Sequence, residues 1–167
     1  MSDNLRYPDE QYDYCQNVGR LLPQIIARIL GDLGFRIWVN KEQNNGVDLK
    51  VFDEEDNLVF VAEIINWSRF SIMPEGRRSW IISNLSKFDC RRVFIYTTFF
   101  NENILDDFCS KGISLLKIGY QVLPEEYYQH YERKGETLSR RTDSEETKQD
   151  ISSKIIHFLQ SSGILPQ

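Results

Sequence analysis

The chain has 167 residues, of which 41% are hydrophobic and 13% aromatic, enough to bury one sizeable core without disulfide or metal staples. A net charge of −5 excludes a globally basic nucleic-acid binder, so any contact with phosphates must come from local patches. The sequence has no apolar run near the roughly 18 residues of a membrane span and no signal peptide, which points to a soluble, cytoplasmic protein with no membrane partner.

In chain order, Pro8 to Gln16 reads as a short helix ahead of Gly19, with Tyr12 and Cys15 on one face. Leu21, Leu22, Ile25, Ile26, Ile29, Leu30 and Leu33 then fall at helical spacing. Pro23 suits the first turn of that helix and Gly34 its end. Phe35 to Val39 reads as a strand.

The next two apolar runs predict a hairpin, Val47 to Phe52 and Val59 to Ile65, with Glu55 and Asp56 at its tip. A two-residue turn there pairs Glu54 with Asn57, Phe52 with Val59, Lys50 with Val61 and Asp48 with Glu63. Val47, Leu49 and Val51 then meet Ile64, Ala62 and Phe60 on an apolar face that must be buried. Two carboxylates opposed on adjacent strands can hold a Mg²⁺ or Mn²⁺ ion against a phosphate. The bland alternative is an amphipathic hairpin with two solvated acids.

Beyond the hairpin, Pro74 opens a helix over Glu75 to Lys87 whose apolar stripe is Trp80, Ile81 and Leu85. Val93 to Tyr96 is a short apolar run suited to a buried strand. Asn101 caps a helix ending at Lys111 and Gly112, and Ile113 to Ile118 supplies another strand. Glu125 to Lys134 suits a short helix, and residues 135–147 read as an exposed linker. Ile151, Ile155, Phe158 and Leu159 mark a terminal helix, Lys148 to Ser162, which must pack on the domain or on a second copy in a homodimer. The fold class is α/β with a mixed sheet, because alternating strands and helices in the second half imply parallel pairing beside the antiparallel hairpin.

Other chemistry is sparse. Cys15, Cys90 and Cys109 are an odd number without metal-ligand spacing, as expected of free thiols in a reducing compartment. His130 and His157 stand alone, which argues against zinc. The doublets Arg77-Arg78, Arg91-Arg92, Arg133-Lys134 and Arg140-Arg141 would form a basic patch only if the fold gathers them, and at least two are read as ordinary surface pairs. The acidic run Asp53 to Asp56 would repel nucleic acid at the hairpin tip.

From Leu21 to Ile118 this order of elements resembles the restriction-endonuclease-like fold of the PD-(D/E)xK nucleases, in particular the Holliday-junction-resolvase-like and Mrr-like branches. The resemblance implies a nuclease domain over residues 1–134, with Asp48 and Glu63 as metal carboxylates and Gln24 near the place where many members carry Glu or Gln on the first helix. Members often read Glu-x-Lys-Asn-Trp; here the segment is Glu63-Ile64-Ile65-Asn66-Trp67, with Ile65 where the lysine stands. That lysine orients or deprotonates water and stabilises the transition state, which isoleucine cannot do. Lys50, on the acid face in the same register, is the candidate for a migrated replacement, and Arg69, Arg77 and Arg78 are candidates for phosphate contacts. The implied activity is Mg²⁺-dependent hydrolysis of DNA phosphodiester bonds. The alternative is a catalytically inactive relative acting as a nucleic-acid-binding or protein-interaction module; a structural subunit with no nucleic-acid role is a third reading.

Overall fold

A single stripe of apolar side chains, Val18, Leu22, Ile25, Ile26 and Leu30, is buried along one long helix, α1 (Pro8–Asp32). The structure, a computed structural model, describes residues 8–41 and 46–167, with side chains from Asn17 onward. The side chains of Tyr12 and Cys15 lie outside the described residues. The expected break before Gly19 and the first-turn reading of Pro23 are both corrected, since the helix runs through them. Burial of the stripe outweighs the local cost of a glycine and a proline. Pro23 has no N–H, so the Gly19 carbonyl lacks its usual helical donor. Gly34 ends the helix at φ 103°, a left-handed conformation that a side chain would strain.

The strands β1 (Arg36–Val39), β2 (Leu49–Phe52), β3 (Leu58–Ile65), β4 (Arg91–Tyr96) and β5 (Ile113–Lys117) form one sheet in that order. The pairs β1–β2 and β2–β3 are antiparallel, whereas β3–β4 and β4–β5 are parallel. Helices α2 (Glu75–Ser86) and α3 (Glu102–Ser110) supply the crossovers. Asn101 caps α3 by accepting from the Ile104 N–H at 3.0 Å. The result is the α/β fold with a mixed, helix-flanked sheet that the restriction-endonuclease-like resemblance implies.

Each face of the sheet has its own core. Leu49, Val51, Phe60, Ala62 and Ile64 pack with α1 and with α5 (Glu145–Ser161). Val61, Ile65, Phe94 and Tyr96 pack with Ile81 and Leu85 of α2 and Phe108 of α3. Val47, expected on the first face, belongs to the second core instead, because it precedes the regular part of β2. The terminal helix is covered within the chain: Ile151, Ile155 and Leu159 enter the α1 core.

Residues 135–147 are not the exposed linker expected. They carry β7 (Arg140–Thr142), which pairs in parallel with β6 (Gln121–Leu123) across α4 (Glu125–Arg133). They also carry the Ser144 cap of α5 and the buried Thr147. Two three-residue strands are too short to show a period in sequence. No helix among the described residues is long and apolar enough to cross a membrane.

Candidate active site

Asp48, just before β2, and Glu63 of β3 line the same cleft, close enough for the Asp48 charge to act on Glu63. Leu49 pairs with Ala62 and Lys50 with Val61, and the Asp48 N–H also donates to the Ala62 carbonyl at 2.9 Å, one residue out of step with that register. Their face is not solvated. Glu63 is only 2% exposed beneath α2, and Asp48 is half-buried.

One oxygen of Asp48 accepts the Ile64 N–H at 2.7 Å. The Asn84 amide of α2 approaches Glu63 at 3.5 Å. Burial raises the pKa of Asp48 to about 6, opposed by the Ile64 N–H and the Arg77 charge. Burial, and then the neighbouring Asp48 charge, raise Glu63 to about 9. The pair therefore holds one proton near neutral pH, for the reason that two adjacent desolvated carboxyls resist double ionisation.

Both acids line a cleft of about 780 Å³ between α1, the end of β3 and α2. Gln24 and Pro23 come from α1, Asn66 and Trp67 from the segment after β3, and Arg77 and Trp80 from α2. The Arg77 guanidinium lies 4.9 Å from the Trp80 ring centre, which holds its charge at the cleft wall. Arg20 and Lys41 add cations at the rim.

The remaining expected site residues go elsewhere. Lys50 shares the acid face but does not line the cleft; its ammonium sits over Trp38 at 4.6 Å and Phe88 at 5.5 Å. Two aromatic faces hold the cation, so the structure does not support Lys50 as the migrated lysine. Ile65 is buried in the α2 core. Arg78 pairs with Asp107 at 3.4 Å, and Arg69 stacks on Phe70 and Phe99. Of the basic doublets only Arg77 lines the cleft: Arg91 reaches Ser114 and Ser162, and Arg140 and Arg141 lie over Tyr131 and Tyr120. The acidic tip is five residues up the strand from Asp48, about 16 Å away, and its Asp56 pairs with Arg36 at 2.7 Å.

Sequence reading missed Asn84, Arg20 and Lys41. Asn84 left a signal, a polar residue beside Leu85 on the helical face that carries Ile81. Asn66 was noticed only as a motif letter, yet it ties the end of β3 to two distant segments. Its amide donates to the Val18 carbonyl at 3.0 Å and the Val122 carbonyl at 2.7 Å, and its oxygen accepts the Val122 N–H at 2.9 Å. Trp67 is anchored beside it by Thr97, whose hydroxyl accepts the Trp67 N–H and donates to the Trp67 carbonyl.

A divalent ion needs several oxygen, nitrogen or sulfur donors around it. Among the described residues no three His, Cys, Asp or Glu side chains cluster, so a closed zinc or calcium cage does not fit. Mg²⁺ or Mn²⁺ does fit two carboxylates, because such ions are commonly held by one or two acids together with water and substrate phosphates. The Asp48 charge acting on the buried Glu63 marks a place where a cation would relieve repulsion between the acids.

No protein-family model matches the chain, and no curated protein matches it. A crystal structure of a protein of unknown function, AF1548, is similar, with a TM-score of 0.41 and 17% sequence identity over 68% of this chain. The chain spans 65% of that protein's length.

Proposed function

We propose that the chain is a metal-dependent hydrolase of nucleic-acid phosphodiester bonds, with DNA as its substrate. The observation that supports this reading is that Asp48 and Glu63 line one cleft together with Arg77. Two buried acids side by side oppose folding unless something binds between them, whereas an apolar pair would stabilise the same position. Asp48 and Glu63 would hold Mg²⁺ or Mn²⁺, which supplies charge against the scissile phosphate and makes water more acidic. Arg77 contributes a fixed positive charge to the phosphate, and Gln24 places a side-chain amide on the facing wall where it can orient water or substrate. The free thiols Cys90 and Cys109 suit a reducing, cytoplasmic setting.

A second reading, a catalytically inactive module that binds nucleic acid, is favoured by the lysine: Ile65 is buried, and the Lys50 ammonium is held by Trp38 and Phe88. The two readings separate on a cleavage assay with calorimetric metal titration. The hydrolase nicks or cuts DNA with Mg²⁺ or Mn²⁺, and Asp48→Ala loses both cutting and metal uptake. Metal uptake without cutting assigns the inactive reading. Cutting that survives Asp48→Ala removes the site from consideration.

A further inference from the structure

Phe70 and Ile72 are 74% and 87% exposed, and both lie on the loop that leaves β3. Large apolar side chains held in solvent so close together form a patch rather than scattered surface residues. The loop is held in place. The Ser71 N–H donates to the Ser68 carbonyl at 3.2 Å, the two serine hydroxyls share a bond of 2.7 Å, and the Phe99 N–H donates to the Arg69 carbonyl at 2.9 Å. Arg69 and Phe70 thus occupy the central positions of a turn fastened to the end of β4.

Cations and rings alternate around this turn. The Arg69 guanidinium lies 4.9 Å from the Phe70 ring centre and 4.6 Å from that of Phe99. From the end of β5, the Lys117 ammonium lies 3.9 Å from Phe99. These side chains form one cluster drawn from the turn after β3 and the ends of β4 and β5. It stands at the carboxyl ends of the parallel strands, where open α/β sheets place their ligands. Trp67, two residues before Arg69, lines the cleft of Asp48 and Glu63.

We infer that the Arg69, Phe70, Phe99 and Lys117 cluster is a platform for an unpaired nucleic-acid strand, with a base stacked on the open face of Phe70 and phosphates against the two cations. Stacking on such a ring requires an accessible base face, and a duplex buries its base faces. The adjacent cations meet the backbone that such a base must bring with it. The inference rests on the proposed hydrolase only in having the bound strand continue past Trp67 into the cleft.

The test is fluorescence anisotropy of the full chain with labelled oligothymidylate of about 15 nucleotides, and with a duplex of the same length, in EDTA. Expected is a single-strand affinity at least about tenfold above that for duplex, weakened about tenfold by Phe70→Ala. Lys117→Ala is expected to lower the salt slope of single-strand binding by about 0.7. Equal single-strand binding by wild type and Phe70→Ala, or equal affinity for duplex, overturns the platform. So does self-association through Phe70 and Ile72, read by light scattering as a concentration-dependent mass that Phe70→Ala abolishes. Strand binding through Phe70 without metal-dependent cutting keeps the platform and removes the hydrolase; cutting that Phe70→Ala leaves unchanged, with unchanged binding, does the reverse.

Discussion

On one face of β3, Phe60, Ala62 and Ile64 run into an unbroken apolar core with α1 and α5; on the other, Val61 and Ile65 flank the buried carboxyl of Glu63. The backbone, the neighbouring strands and the depth of burial are shared, so the contrast lies in the side chains alone. The first face is built for burial. The second keeps an acid where burial, and then the neighbouring Asp48 charge, oppose its ionisation, with the Arg77 charge acting the other way. An acid tolerated on one side of a strand is therefore not tolerated on the other.

The largest expected effect comes from copying the acid onto the wrong face. Ala62→Asp places a carboxylate among Leu22, Ile26 and Val93 with no partner, costing on the order of 4 kcal/mol or more, a large share of typical domain stability. Loss of cooperative thermal unfolding in circular dichroism is the expected readout; a normal melt would show that the α1 face is less tightly closed than its burial indicates.

A smaller and pH-dependent effect is expected for Glu63→Gln. The folded state raises the Glu63 pKa from 4.5 to about 9, so between those values it holds a proton that the unfolded chain has released. Wild-type stability must then fall as pH rises through that window, by up to about 1.4 kcal/mol per pH unit for one proton. The glutamine variant lacks this slope and should be the more stable protein at alkaline pH. Parallel stability curves for the two proteins, measured by urea unfolding from acid to alkaline pH, would contradict the buried, protonated acid.

The smallest effect belongs to Lys50→Ala. Its ammonium interacts with Trp38 and Phe88 rather than with the acids, so the loss should be about 0.5–1 kcal/mol of stability with metal affinity unchanged. A loss of metal-dependent cutting on this substitution would return Lys50 to the site.

The acid register was legible in the sequence because alternation fixes which residues share a face, and Lys50 opposite Val61 holds as expected. The tip was not legible. Asp53 accepts the Glu55 and Asn57 N–H groups at 2.9 Å, and Asp56 turns to φ 65°, so the loop closes between Asp53 and Asn57 and is one residue longer than expected. That shift alone would set the acids out of register. A bulge between Val51 and Phe52, where Phe52 pairs with Leu58 and Val59 is the extra residue, shifts the pairing back. The two deviations cancel by Val51 and Lys50, which meet Phe60 and Val61 as expected. The direction of Lys50 was beyond reach for another reason, since Trp38 and Phe88 come from separate segments that only the fold brings together.

The Asn66 amide bears on the order in which the chain assembles. It bridges carbonyls 48 and 56 residues away in sequence, in α1 and β6, so its full set of bonds forms only once both segments have docked beside the end of β3. Contacts of such long span close late, after the local hairpin and the β3 to β5 crossovers, and they are among the first to open again when a segment detaches. The final turn of the cleft, from Asn66 to Trp67, is thereby completed by the C-terminal third of the chain.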